Sequence, residues 1–324
     1  LNTGSVTVET KDNGITYVTQ EDKTQADGYA RNEKEDILHD YQDTTGVTIT
    51  SNGEQTSNTI TVETAKDQTT NVTLDKVHIE VDTTKAKSGA IEIKGDGNTN
   101  LELNGNNTVL VESQWGDERA AIEKADTYGK EGTLTIKDDV NDDGSKKTGT
   151  DKDTTGTLLA GGYHDSAAIG GGGGEFANTS NIIITGGEIT ASGGSYGAGI
   201  GGGYAGDASN IRIEGNAHVT AYGASGAAIG SGYHSRVNSD ITITDHATVD
   251  AASQNGCGIG HGQDASGKVT ITISGHASVN AETRDTAAIG SDHSSATVNI
   301  EDNAAVTAVG HGVAIGTGYG SDYT

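Results

Sequence analysis

The residues in this chain with the most chemistry to offer recur at one fixed offset. Four places beyond each of a series of isoleucines stand Gly173, Tyr204, Tyr233, Gln263, His293 and Tyr319, with His234 and Asp292 beside two of them. Tyrosine combines an apolar ring face with a hydroxyl, which suits the C–H face and the hydroxyls of a sugar. Tyr204, Tyr233, His234, Asp292, His293 and Tyr319 are therefore the candidate ligand-binding residues. A second candidate is Asp139-Val140-Asn141-Asp142-Asp143-Gly144, the D-x-N-x-D-G core of a calcium loop. Alternate oxygen donors and a glycine at the sharp turn are what Ca2+ requires. The twelfth position is Thr150 rather than Glu, although Asp151 and Asp153 stand close by. Asp139, Asn141 and Asp143 are thus candidate Ca2+ ligands, and a solvated acidic loop is the alternative.

Catalytic patterns are weaker. A lyase would need an Arg or Lys base beside acidic Ca2+ ligands, but Arg212, Arg236, Lys268 and Arg284 are scattered over different positions. Carboxylates are plentiful enough for a glycosidase pair, yet no spacing selects one. The glycines of Gly170–Gly174 are not a phosphate loop, because no Lys-Ser/Thr follows to open a helix. Cys257 takes a place that alanine holds elsewhere and reads as a small buried hydrophobe.

The elements that position these residues follow from a repeat. Ile169, Ile200, Ile229, Ile259, Ile289 and Ile315 each precede a glycine and are spaced 31, 29, 30, 30 and 26 apart. A second row is Ile184, Ile213, Ile243, Ile273 and Ile300, each with an apolar residue two places earlier. A third is Ile189, Val219, Val249, Val279 and Val306. Residues two apart on a strand share a face. Strands this short must stack on their equivalents, about 4.8 Å apart, to satisfy the backbone and build an apolar column. The expected fold is all-β: a right-handed parallel β-helix of three-strand coils, the hand being the usual one for parallel crossovers. On this logic Ala167, Ala198, Ala227, Cys257, Ala287 and Val313 face inward with the isoleucine. The middle residue (Ala168, Gly199, Ala228, Gly258, Ala288 or Ala314) faces out and leaves a nearly bare strand. Gly187, Asn216, His246, His276 and Asn303 fall at one turn position, and their types favour positive φ.

The same grammar runs backward through the chain. Ile91 and Ile122 are 31 apart, whereas Ile122 and Ile169 are 47 apart. The surplus lies in the polar segment 137–155, an inserted loop. Residues 1–46 are expected to cap the solenoid against edge pairing, and 47–324 to form it as one domain. Within the cap, Val6–Glu9 and Ile15–Thr19 read as strands and Tyr29–Tyr41 as a short helix.

The segment TITVETAKDQTTNVTLDKVHIEVDTTKAKSGAIEIKGDGNTNLELNGNNTVLV (59–111), followed by AAIEK, GTLTIKDD, GTLLAGG and AAIGGG, resembles a family of bacterial carbohydrate-binding parallel β-helices. That family includes cellulose- and acidic-sugar-binding proteins related in shape to pectate lyases. The resemblance covers roughly 46–200 and implies extracellular glycan binding and Ca2+ sites. It carries over no individual binding residue. The Ile-Gly array also looks like sequences in large bacterial surface adhesins.

Composition narrows the partners. Acidic residues outnumber basic ones 46 to 20, for a net charge of −26, which repels nucleic-acid phosphates and anionic lipid. An acidic polymer would need bridging Ca2+. There are 49 glycines, no proline and no methionine. Without methionine the sequence reads as a mature or excised fragment. It shows no signal-like start and no run for a membrane helix. A lone cysteine excludes an internal disulfide framework and suits export. The expectation is a monomeric, non-catalytic carbohydrate-binding or adhesive module, secreted or on the cell surface, whose partner is a polysaccharide or a host or cell-wall glycan. A polysaccharide lyase or glycoside hydrolase is one alternative and a passive stalk another. Ice binding would need a regular Thr ladder, which Ile183, Arg212, Thr242, Thr272 and Asn299 do not supply.

Overall fold

The computed structural model describes residues 1–21, 36–41, 46–112, 118–139, 156–174 and 177–318. The chain is a parallel β-solenoid with three sheets of twelve, nine and nine strands, in which, apart from two antiparallel strands at its beginning, each strand pairs with its equivalent one coil away. In the first sheet Ile169, Ile200, Ile229, Ile259 and Ile289 lie directly over one another. In the second sheet Ile211, Ile241 and Ile271 do the same, as do Val219, Val249 and Val279 in the third. Ile122 pairs with Ile169, so the longer spacing between them is a longer coil and not a break in register. The described helices are one turn at Thr83–Ala86 and a 3-10 turn at Asp126–Tyr128. No described helix is long and apolar enough to cross a membrane.

The interior is a set of columns. The isoleucines of the first sheet from Ile91 to Ile289 are fully buried. Near the beginning of the chain a polar column runs inside instead. Thr70 donates to Thr10 at 2.6 Å, and Thr64 bonds Thr70 at 2.7 Å and Thr99 at 3.2 Å. Each buried hydroxyl thus finds its partner one strand away, which removes the cost of burying it.

Two expectations about side-chain direction are overturned. The middle residues Ala168, Ala228 and Ala288 do not face out; they are fully buried and join the core with the isoleucines. Ala167, Ala198, Ala227, Cys257 and Ala287 are fully buried too, but outside that core cluster. In the coils of Ala168 and Ala228 the strand is only two residues long, as in Ile169–Gly170. The chain closes on itself around it, Ala167 N donating to Gly171 O at 2.9 Å and Cys257 N to His261 O at 2.9 Å. Strict alternation cannot extend through so tight a bend. The second correction concerns His246 and His276, which are not the positive-φ residues of their turns. That role falls one place earlier, on Gly215, Asp245, Gly275 and Asp302. The two imidazoles instead stack, 5.2 Å apart and nearly parallel.

At the beginning, Val6–Thr10 stacks parallel on Ile60–Thr64 and pairs antiparallel with Thr16–Glu21. Asp36–Tyr41 adds a further antiparallel strand to that hairpin, so the expected helix over Tyr29–Tyr41 gives way to a strand in its later part. An open sheet edge offers unpaired backbone groups to residues 36–41, and pairing with it satisfies them. Residues 29–35 lie outside the described residues. At the other end the inner rows of the last described coil are exposed or half-buried. Ile300 and Ile315 are 44% and 40% exposed, in rows that are buried in the coils before them.

Candidate functional site

The first sheet is covered by its own flanking loops. A leading loop precedes each Ile-Gly strand and a trailing loop follows it. Leading loops stack on one another, Tyr196 N donating to His164 O at 2.8 Å and Ser225 N to Ser195 O at 2.9 Å. Trailing loops do likewise, Ala205 N donating to Tyr233 O at 2.7 Å and His234 N to Gln263 O at 3.1 Å. The two sets then join across the strand, Tyr204 N donating to Asp165 O at 2.7 Å and Tyr233 N to Tyr196 O at 2.9 Å. The result is a ridge running along the solenoid axis over the first sheet. It hides Ser231, His261 and Ser291, which are fully buried.

The ridge carries a cluster of rings. Tyr204 and Tyr233 lie 6.0 Å apart between centroids, and His234 is 4.0 Å from Tyr233. Tyr196, from the leading loop, is 5.1 Å from Tyr233 and 6.1 Å from Tyr204. His164 closes the cluster edge-on to Tyr196 at 5.3 Å. All five side chains are half-buried, each ring spending part of its surface on the next. Burial, together with the hydrogen bond from its hydroxyl to Asp264, raises the pKa of Tyr233. Further along, His293 Nδ1 sits 2.7 Å from the Asp292 carboxylate.

The predicted residues therefore fall into two neighbouring groups. Tyr204, Tyr233 and His234 come together, and Asp292 pairs with His293 beyond them. Tyr319 lies outside the described residues, as do Asn141 and Asp143. Asp139 is described: its carboxylate is 2.9 Å from Lys137 Nζ, and its backbone N–H donates to Glu102 at 2.7 Å. Of the three expected Ca2+ ligands, Asp139 alone is among the described residues.

Beside the ridge, at the end of the third sheet, runs a groove that sequence reasoning did not single out. One stretch has a volume of about 560 Å³ and is lined by Tyr163, His164, Ser192, Ser195, Tyr222 and Gln254, among others. That is a normal size for a ligand cleft. A second stretch of about 610 Å³ shares Gly162 and Tyr163 with the first and adds Glu80, Asp82 and Glu112. A third, of about 670 Å³, shares Glu80, Asp82 and Glu112 and reaches Lys85 and Gln55. The three stretches adjoin one another through these shared residues. Tyr163 and Tyr222 stand on the groove with 46% of their surface exposed. Third-sheet pairing stacks Gly161, Ser192 and Tyr222, and Tyr163 lies two residues beyond Gly161, so the two tyrosines are two coils apart along the axis, about 10 Å in that direction at the usual strand spacing, and offset by two residues across it. The sequence signal for them was faint. Tyr222 is alone in its row, where the neighbours are Ser192 and Ala252.

Carboxylates of the first sheet are placed differently. Glu92 and Glu123 occupy consecutive coils at the position that glycine holds from Gly170 onward. They are 4% and 1% exposed and are ion-paired with Lys94 at 2.7 Å and Arg119 at 3.1 Å. Burial raises the Glu123 pKa. A polymer cannot reach so enclosed a pair, so these residues act as an internal brace. Cys257 is fully buried, its thiol pushed up to about 12 by burial, and accepts a hydrogen bond from Thr286. A thiol held protonated in this way is no nucleophile at neutral pH.

Residues 182–204 and 211–233 match a family model described as beta helix repeat. Those stretches span two successive coils of the solenoid and end on Tyr204 and Tyr233. In its fold the chain is a parallel β-helix. No curated protein and no solved structure matches it.

Proposed function

We propose that this parallel β-helix is a non-catalytic glycan-binding module whose ligand lies lengthwise in the groove beside the ring ridge. The observation that carries the reading is the pair of exposed tyrosines, Tyr163 and Tyr222, two coils apart on a groove otherwise lined by small and hydroxyl-bearing residues. A coil step of about 4.8 Å is close to the rise of one sugar in an extended glycan. Rings two coils apart then meet alternate sugars, which present the same face in a twofold extended chain. The ring cluster meets the groove through His164, which lines it. In this reading Tyr204, Tyr233 and His234 beyond it, with Asp292 and His293 further on, offer hydroxyl and imidazole groups to branches or neighbours of the same chain. A Ca2+ ion in the loop that begins at Asp139, with Asn141 and Asp143, belongs to this reading as a stabilising ion. The buried position of Glu92 and Glu123 supports binding without catalysis. Such a module acts where polysaccharide is found, outside the cell or on its surface.

The test is a glycan array with and without Ca2+, followed by titration of the best ligand into variants. A sugar–ring contact is worth about 0.5–1.5 kcal/mol, so Tyr163→Ala and Tyr222→Ala should each weaken binding by roughly threefold to tenfold. Tyr204→Ala with Tyr233→Ala tests the ring cluster. Binding unchanged in the Tyr163/Tyr222 double variant would discard the groove, and reducing ends released from a polysaccharide would replace binding with catalysis.

A further inference from the structure

Past the ring cluster, three side chains from two consecutive trailing loops converge. Asp264 comes from one loop, Asp292 and His293 from the next. Their donor atoms, two carboxylate oxygens and an imidazole nitrogen, all lie within 4.8 Å of one another. The backbone itself sets this up. Asp264 N donates to Asp292 Oδ2 at 3.2 Å, which locks the two loops in register, and Asp264 takes a positive φ of 57° at the turn.

The charge balance of this cluster is unusual. The Asp292 side chain is only 3% exposed, yet its one ion-pair partner among the described residues is His293. Neither Asp292 nor Asp264 has a described Lys or Arg within ion-pair distance. Among the other buried carboxylates, Glu92 is answered by Lys94 and Glu123 by Arg119, while Asp207 is held by hydrogen bonds from Ser235 and Val237 and has no second described carboxylate in contact. A desolvated carboxylate beside a second carboxylate needs positive charge more than either needs a neutral ring. Asp264 and His293 are exposed, so the open side of the cluster faces solvent and an ion can enter.

We propose that Asp264, Asp292 and His293 form a binding site for a divalent transition-metal ion of the Zn2+ class. The donor set chooses the ion. An imidazole with two carboxylates suits zinc and its neighbours, while Ca2+ asks for six to eight oxygens that this cluster does not gather. Loading requires His293 Nδ1 to be bare, so the ring carries its proton on Nε2 when the ion is bound. Three protein donors leave a coordination position for water or a ligand oxygen. The ion ties the trailing loops of two coils together, and through Asp264 it also fixes the hydroxyl of Tyr233 at the end of the ring cluster. This site is separate from the loop that begins at Asp139, and its chemistry does not depend on the glycan reading.

Zinc chloride is titrated calorimetrically into the full chain and into the exposed-residue variants His293→Gln and Asp264→Asn, with melts of the zinc-free proteins to show that they fold alike. The wild type should bind one equivalent that each variant loses or weakens at least tenfold, and millimolar Ca2+ should not displace it. Anomalous diffraction at the zinc edge locates the ion. Density between Asp264, Asp292 and His293 supports the site. A titration unchanged in both variants, or an ion found only elsewhere, for instance at the stacked His246 and His276, overturns it.

Discussion

His261 shows how one residue can report on the packing around it. It occupies the place that Ser231 and Ser291 hold in adjacent coils, and all three are fully buried under the ridge. Its Nδ1 is 2.9 Å from Ser294 Oγ, and burial lowers its pKa to about 4. The folded state therefore binds this proton less readily than the unfolded chain, whose histidine titrates near 6.5. The resulting stability is fully present above about pH 6.5 and is lost as pH falls toward about 4, on the order of 3 kcal/mol in all. Carboxylates whose pKa burial raises, such as Glu123 and Asp207, act in the opposite sense. The readout is thus a difference: comparing chemical denaturation of wild type and His261→Gln between pH 7 and pH 4 should show the acid-side loss only in the wild type. Equal slopes would mean that the imidazole charges without penalty.

At the scale of the element, the two-residue Ile-Gly strand is the unit that repeats. Its glycine column is a geometric necessity. Gly201, Gly230 and Gly260 have φ of 136°, 139° and 135°, and a Cβ on any of them would sit 1.9 Å from the glycine carbonyl oxygen of the next coil. Only glycine allows both that backbone region and that approach. Gly230→Ala should cost at least about 3 kcal/mol, since strain and a backbone clash coincide, and should appear as a lowered denaturation midpoint. A cost below 1 kcal/mol would mean that the coils slide apart freely. Glu92 and Glu123 stand at the same position in earlier coils, so the column is a feature of the later repeats and not of the whole fold.

Among the described residues the stack is tight in the middle and more exposed in its last coil. A solenoid's coils contact only their neighbours, so stability is distributed along the axis. Ile229 is fully buried between coils, whereas Ile315, in the same column, is 40% exposed. Ile229→Ala should cost about 2–5 kcal/mol and Ile315→Ala less than about 1 kcal/mol. Matched denaturation curves for the two variants check this, and equal losses would show that something covers the last coil in solution. The groove is likewise a property of the stack. It exists because many coils bring Glu80, Glu112, Tyr163 and Tyr222 to one side, although no two of them are close in the chain.

The spacing of isoleucine, valine and glycine determined the coil, its register and the column it buries, because stacking converts equal offsets into contacts. It also brought Tyr204, Tyr233 and His234 together, and Asp292 with His293, since residues at one offset must become neighbours along the axis. What it left undecided was everything that depends on direction around the coil. A pattern of period two predicts alternation, but the tight turn around Ile-Gly breaks it, and so Ala168 points inward. Tyr196 and His164 belong to the leading loops and Tyr163 and Tyr222 to the edge of the third sheet. Only the folding of those loops over the first sheet decided that rings from both sides would meet on one ridge with a groove beside it.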